Sequence, residues 1–574
     1  MADVAQLNGV PQYTLGHYER DFHDRHLVHG VVEKWAREKP DDVAIIEVDT
    51  GRSYTYGQFD RIATRVALEL VELGFEKGDF LATSLPLLAE HIFLEYACFK
   101  IGVIHAPLDV RLKTPEVIRS LGLVEPKGYA FPGKTPFADF TELGREVQAQ
   151  CPYVAHFIQF SPPAEMIDGA VSGTALFEQI GDRPPDPTGS GNWERYQALT
   201  ASVVETDGAQ VIYTTGSTGL PKPALLSHRN ITSQNLCLGA GLDVLPGRRM
   251  LVNLPPSHVG CQAEQLMTTF FCGGTAVVLH MFDAEGSLRA VQDHQVWILG
   301  QIPAMFSMQW RLPNYTNYDL SSLDVVIYSG QQANQQFLQN LSKMAPRSMT
   351  ALGLTEMAGL VTYTPLDVPV TELEGTVGFD MPITPLSIRK PMRPDGTAGE
   401  ELPDGEVGEI CFSGPQVFIG YVNNEEAYRK TVSKEGICYT GDLGYRSERG
   451  LHFSGRSKLV MKPKGYQVHP AQVEDHFAQL TDSVAACGAV SAPHDVFSEG
   501  VVLFVEPKPG TQVTVVELIA HAKGIASYMR PSHYIILEPG QLPLNRINKT
   551  DYVSLKASAL DEVKRLRAAG GWDG

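Results

Sequence analysis

A layered α/β protein with several subdomains is what these 574 residues predict, on three observations. The chain is too long for one ordinary core, at a prior of roughly 150 residues per domain. Apolar Phe59, Ile62, Val66, Leu70 and Leu73 recur at helical spacing, and Gly74 follows as a stop. Short apolar runs bounded by glycine and proline, "GDFLATSL" and "GVIHAPL", then read as buried strands alternating with helices.

Residues 131 to 200, rich in proline, glycine and acids around "IGDRPPDPTGSGNWE", are expected to form a surface excursion or a long connection. From about residue 209 the strand-and-loop texture resumes. "VIYTT" reads as a strand feeding a glycine-rich loop, and "NITSQNLCLGAGL" as the helix after it. Near the end "VVLFVEP" reads as a strand and "VVELIAHAKGIASYM" as a helix. A domain boundary is placed at residue 457, giving units 1 to 457 and 458 to 574, with no internal repeat.

Composition narrows the function classes. The chain is 43% hydrophobic and 20% charged, and no apolar run nears the roughly 18 residues of a membrane span, so no stable membrane insertion is expected. The N-terminus lacks a basic start followed by an apolar stretch, which predicts a cytoplasmic protein. Eight scattered cysteines without metal-ligand spacing read as reduced, mostly buried thiols. A net charge of -19 argues against a nucleic-acid partner, so any anionic ligand must meet local positive charge. "GRSKLVMKPKGYQVHP" supplies it through Arg456, Lys458, Lys462 and Lys464, with no acid among them.

The loop "YTTGSTGLPKPALLSHRN" begins at Tyr213. Lys222 does not follow its second glycine directly, so it is not a Walker A loop. Its chemistry still suits phosphate. Gly216 and Gly219 let backbone N–H groups approach an anion, Thr214, Thr215, Ser217 and Thr218 add hydroxyls, and Lys222 adds charge. Alone, such a stretch is commonly only a turn.

Four further stretches change that reading: "LGLTEMAG" at 352 to 359, "YTGDLGY" at 439 to 445, "GRSKLVMKPKGYQVHPAQVE" at 455 to 474 and "LPLNRINKTDY" at 542 to 552. In this order the elements resemble those of the adenylate-forming superfamily, which includes acyl-CoA synthetases, aryl-CoA ligases, luciferases and nonribosomal adenylation domains. The resemblance runs from about residue 30 to about 560. It implies a large N-terminal adenylation domain of layered sheets and helices, a small mobile α+β C-terminal domain, and ATP, Mg2+ and coenzyme A as reactants or cofactor.

It also implies roles by position. The loop would hold the β- and γ-phosphates of ATP, Thr355 the α-phosphate, and Glu356 the magnesium. Asp442 would accept the ribose hydroxyls, with Arg456 beside the ribose or phosphates and Gln331 beside adenine. Lys549 would stabilise the reacting carboxylate and α-phosphate oxygens. Lys458 would be the hinge, Lys462 would serve thiol transfer, and Gly465 would border the pantetheine channel. His258, Val259, Gly260, Gly330 and Ala358 would line the acyl pocket, His258 as a gate rather than a base.

Three residues depart from the family pattern: Pro223 after the loop lysine, Leu352 where an aromatic commonly meets adenine, and Asn548 before the last lysine. None removes a charged group. The pocket segments 258–262, 329–333 and 356–360 carry no charge beyond Glu356, which favours a neutral medium-chain, aromatic or alicyclic acid. The implied activity is an AMP-forming acyl-CoA ligase working on a small-molecule carboxylic acid, with a homodimer open. A free-standing enzyme that loads a carrier protein, and a nucleotide-binding scaffold without turnover, are the alternatives.

Overall fold

Thr55 starts the helix that the apolar spacing predicts. Its hydroxyl accepts from Gln58 N at 3.3 Å while Gln58 Oε1 accepts from Thr55 N at 2.9 Å, a reciprocal cap. The helix spans Tyr56–Glu72 and buries Phe59, Ile62, Val66 and Leu70. Gly74, at φ +82, turns the chain out of it. The computed structural model describes residues 4–135, 138–181, 192–215, 221–330, 333, 335–456, 459–461, 463, 468–495, 498–545 and 549–572.

Two large sheets flank this helix and its neighbours. The first has eight strands in the order Gly420–Tyr421, Pro221–Ser227, Gly208–Thr215, Ile104–Pro107, Phe80–Thr83, Gly128–Pro132, His156–Phe160 and Val171–Ser172. It is parallel except where Pro221–Ser227 meets its two neighbours. The second has seven strands in the order Arg347–Ala351, Val325–Ser329, Ile298–Gln301, Arg249–Val252, Thr275–Val278, Val43–Glu47 and Ser53–Thr55, antiparallel only at the last pair. Helices Ala89–Lys100 and His228–Gly241 are buried on nearly every face, as helices between two sheets must be. The main core joins them to Ile45 and Ala276 of one sheet and Leu81 and Ile212 of the other. Lys100, 2% exposed in that layer, is held by Glu33 at 2.6 Å and Asp60 at 2.7 Å, which offsets the desolvation of its charge.

The stretch 131 to 200 is not an excursion. It completes the eight-stranded sheet with His156–Phe160 and Val171–Ser172 and packs helices Thr141–Gln150, Gly173–Ile180 and Asn192–Ser202 around it. The proline and glycine richness that suggested otherwise concentrates in 182–191, outside the described residues. The other expected strands are present, as is the helix after the glycine loop. The last expected helix stops early, at Val515–His521, followed by a 3-10 turn Ala522–Gly524. The His476 ring lies where a Cβ on Gly524 would be, 2.8 Å from its Cε1, and Ile525 is already extended.

A four-stranded antiparallel sheet, Leu386–Arg389, Gly408–Phe412, Cys438–Ser447 and Gly450–Arg456, follows the two large sheets in the chain, apart from their edge strand Gly420–Tyr421. The small C-terminal domain is α+β, with strands Val484–His494, Ser498–Pro507 and His533–Ile536 beside helices Pro470–Ala478 and Tyr552–Ala568. Seven of the eight cysteines are buried and all are free thiols. Among the described residues no helix is long and apolar enough to cross a membrane.

Candidate active site

The glycine loop joins Gly208–Thr215 to Pro221–Ser227 at one side of the eight-stranded sheet. Pairing sets Thr214 opposite Lys222 and Tyr213 opposite Pro223. Pro223 has no N–H, but its carbonyl accepts from Val422 N at 2.9 Å and so ties the hairpin to the edge strand. That edge strand, Gly420–Tyr421, carries the ring beside which Lys222 Nζ lies, 5.2 Å from the centroid. The Tyr421 hydroxyl donates to Glu356 Oε1 at 2.6 Å, and burial together with that carboxylate pushes the phenol well up.

Thr355 and Glu356 form a 3-10 turn, Thr355–Met357, that ends on Ala358 in the left-handed region at φ +57. Ala358 N donates to Thr355 O, and Glu356 O accepts from Phe418 N, both at 2.9 Å. The structure thus gathers Lys222, Tyr421 and the Glu356 carboxylate into one corner. Asp442, 5% exposed, stands on Cys438–Ser447 opposite Arg456, with Thr440 Oγ1 accepting from its backbone N at 3.1 Å. Burial and then nearby Glu356 raise the Cys438 thiol, so this strand starts beside the Thr-Glu turn.

A second corner forms around Lys549. Asn545 N donates to Lys549 O at 2.7 Å and Lys549 N donates to Asn545 Oδ1 at 3.0 Å, which ties these two residues together just before the last helix of the small domain. The Lys549 side chain lies beside Gly330 of the large domain. A Cβ on Gly330 would lie 3.2 Å from both Cε and Nζ of Lys549, and Gly330 sits at φ +86, so glycine suits the position twice. His258 is near enough to feel the ammonium. Burial first, then Lys549, lowers its pKa to about 4. Its Nδ1 accepts from Gly260 N at 3.0 Å, which leaves a neutral ring with the proton on Nε2.

Val259 and Gly260 lead into a π-helix, Gly260–Met267. Its amides are stitched to the surrounding strands. Gln265 Oε1 accepts from Asn253 N at 3.2 Å, and Gln265 Nε2 donates to Gly300 O at 2.8 Å. Such wide turns re-aim side chains, and this one carries Glu264. Burial pushes the Glu264 carboxyl up to about 7, against the pull of Lys549. A Cβ on Gly359 would lie 2.9 Å from Glu264 Oε1 and 3.1 Å from Gln234 Nε2.

Of the expected site residues, the structure brings Thr214, Lys222 and Glu356 to the first corner. It brings Lys549, Gly330, His258 and Gly260 to the second, and Glu264 against Gly359 links that corner to Ala358. Gly216, Ser217, Thr218, Gly219, Gln331, Lys458, Lys462, Gly465 and Asn548 lie outside the described residues, as do the side chains of Thr215 and Arg456. Among the described residues no group of three or more metal-ligating side chains is gathered. A magnesium ion would take one carboxylate and otherwise phosphate and water oxygens, a donor set that Glu356 alone can serve.

Three neighbours were missed in the sequence: Tyr421, Gln234 and Glu264. Tyr421 leaves no local signal, since only sheet pairing brings it to Glu356. Glu264 does leave one, as the single charge in the apolar run "VGCQAEQLMTTFF".

The family model described as AMP-binding enzyme matches residues 32–422, and that of the AMP-binding enzyme C-terminal domain matches 472–549. A medium-chain fatty-acid–CoA ligase of Escherichia coli is 24% identical over 538 residues, covering 93% of this chain and 90% of its own. A feruloyl-CoA synthase of Amycolatopsis is 27% identical over 485 residues, covering 84% and 89%. In fold, the chain is similar to ATP-bound MatB from Rhodopseudomonas palustris, with TM-score 0.76, 22% identity, and coverage of 93% of this chain and 99% of that one.

Proposed function

Because the chain belongs to the AMP-binding enzymes, we propose that it is an AMP-forming carboxylic acid–CoA ligase. In this reading ATP and an acid give an acyl-adenylate and pyrophosphate, and coenzyme A then takes the acyl group. The observation that carries it is the meeting of Lys549 with Gly330 and His258 across the two domains. A cation brought there would stabilise oxygens of the carboxylate and α-phosphate as charge redistributes between them.

The same reading assigns the hairpin hydroxyls and Lys222 to the departing phosphates, Thr355 to the α-phosphate, and Asp442 to the ribose. Glu356 would hold magnesium, which would neutralise phosphate charge, while Tyr421 fixes the carboxylate's orientation. His258 is a neutral wall of the pocket, because a carboxylate at neutral pH needs no base to attack phosphorus. The boundary after residue 457 and the hinge at Lys458 belong to this proposal too, as do Lys462 and Gly465 at the thiol step. The apolar residues around His258, Val259 and Ala358 favour a medium-chain, aromatic or alicyclic acid with an uncharged tail.

ATP- and coenzyme-A-dependent AMP release across acetate, hexanoate, benzoate, cyclohexanecarboxylate and a long-chain acid tests the reading. Turnover that needs coenzyme A and ranks the middle three first is expected. Acid-dependent pyrophosphate exchange without thioester would move the acceptor to a carrier protein.

A further inference from the structure

Residues 414–422 run between the glycine hairpin and the Thr-Glu turn and are tied to both. Ile419 N donates to Leu225 O at 3.1 Å and Val422 N to Pro223 O at 2.9 Å, while Gly420 and Tyr421 pair with Leu225 and Ala224 of the hairpin. On the other side Phe418 N donates to Glu356 O at 2.9 Å and the Tyr421 hydroxyl to Glu356 Oε1 at 2.6 Å. The place of this segment therefore sets the place of Glu356 relative to the hairpin.

Asn230 holds the near end of that segment. It lies in the first turn of helix His228–Gly241, directly after the hairpin strand Pro221–Ser227, and is 4% exposed. Its Oδ1 accepts from Ser227 N at 2.8 Å, and its Nδ2 donates to Pro415 O at 2.7 Å and to Val417 O at 2.8 Å. One N–H and two carbonyls around the amide fix which end of it is nitrogen. Capping the helix uses only the oxygen, which an aspartate would supply as well. Both amide hydrogens are spent instead on Pro415 and Val417.

Resting on the ligase reading above, we propose that Asn230 is a positioning residue for ATP, holding the glycine hairpin and Glu356 at the separation that the triphosphate needs. It acts through Phe418 and Tyr421. Without the bonds to Pro415 and Val417 the segment divides its time among several arrangements, and the apparent affinity for ATP falls with the fraction that has Glu356 in place. Two buried hydrogen bonds are enough to reduce that fraction to about one tenth.

The test measures the Kd of magnesium-ATP by calorimetry and, in acid-dependent AMP release, the separate KM values for ATP and for the acid. Asn230→Asp keeps the capping oxygen and loses both donors, so Kd and KM for ATP should rise roughly tenfold while the acid's KM stays at the parent value. Asn230→Ala introduces no buried charge and should show the same split, which keeps the measurement available if the aspartate variant does not fold. Ser227→Ala is the control. It removes the oxygen that accepts from Asn230 N at 3.1 Å but leaves the ties to Pro415 and Val417, so Tm should fall by about one or two degrees with the Kd for ATP unchanged. A parent-like Kd in a folded Asn230 variant, or an equal rise in the acid's KM, overturns the inference and leaves the ligase standing. Failure of both Asn230 variants to fold also overturns it, because the amide would then serve stability alone. A parent that binds ATP but releases no AMP with any acid sinks the ligase reading, and the calorimetric comparison still decides Asn230.

Discussion

Around Glu356 each polar group has a polar neighbour. Tyr421 donates to the carboxylate at 2.6 Å, and Lys222 lies over the Tyr421 ring. Around Glu264 the reverse holds, with a carboxyl raised to about 7, a histidine lowered to about 4 and an amide nitrogen without a partner. The first corner is prepared for charge, whereas at the second burial shifts His258 and Glu264 toward their neutral forms beside the Lys549 ammonium. The contrast suits two jobs: holding a polyanion needs fixed charges, whereas admitting an organic acid needs a dry pocket with few, well-placed polar atoms. Lys549 stands at the second corner, where it lowers the pKa values of both His258 and Glu264.

The sharpest way to break this contrast is to remove the cation. Lys549→Ala should lower acid-dependent pyrophosphate exchange by about 10²–10³-fold, the size seen when one transition-state donor is lost. ATP binding, measured by calorimetry, should persist. Gly330→Ala comes next. The added methyl would sit 3.2 Å from the lysine in a backbone region that disfavours side chains, so exchange should fall by tens-fold through misplacement alone. A Gly330→Ala enzyme with unchanged exchange would remove the glycine from the lysine's path.

At the first corner Tyr421→Phe deletes one hydrogen bond to a charged group, worth about 1.5–3 kcal/mol. The KM for magnesium-ATP should rise roughly tenfold with the acid's KM unchanged, and a change in the acid's KM alone would erase the division between corners. The smallest effect concerns stability. The folded-state pKa of Glu264 is raised from 4.5 to about 7, so between those values the folded protein binds the extra proton and stability falls as pH rises. His258 is lowered from 6.5 to about 4 and gives the opposite slope over that window. Glu264→Gln should therefore leave the His258 slope exposed, with the variant's Tm gaining on the parent's by a few degrees between pH 4.5 and 7.

What the sequence showed divides along the same line. Helix Tyr56–Glu72 and its Gly74 stop are local patterns, and they were legible. The segments around Lys222, Glu356, Asp442 and Lys549 stood out as candidates for the proposed nucleotide site, because binding phosphate calls for particular residues at short spacing. Strands His156–Phe160 and Val171–Ser172 contain neither proline nor glycine themselves and were hidden by those residues in the sequence around them. Tyr421 was hidden because a two-residue edge strand has no periodicity. Glu264 was passed over because the pocket segment was drawn to end at Gln262, while the π-helix carries the lining one turn further.

The most direct measurement supplies Lys549→Ala with preformed acyl-adenylate and coenzyme A and follows thioester formation beside the pyrophosphate exchange of the same preparation. Thioester formed at the parent rate, with exchange lost, is expected if the lysine reaches Gly330 to serve acid activation. Loss of both steps in equal measure would contradict that role.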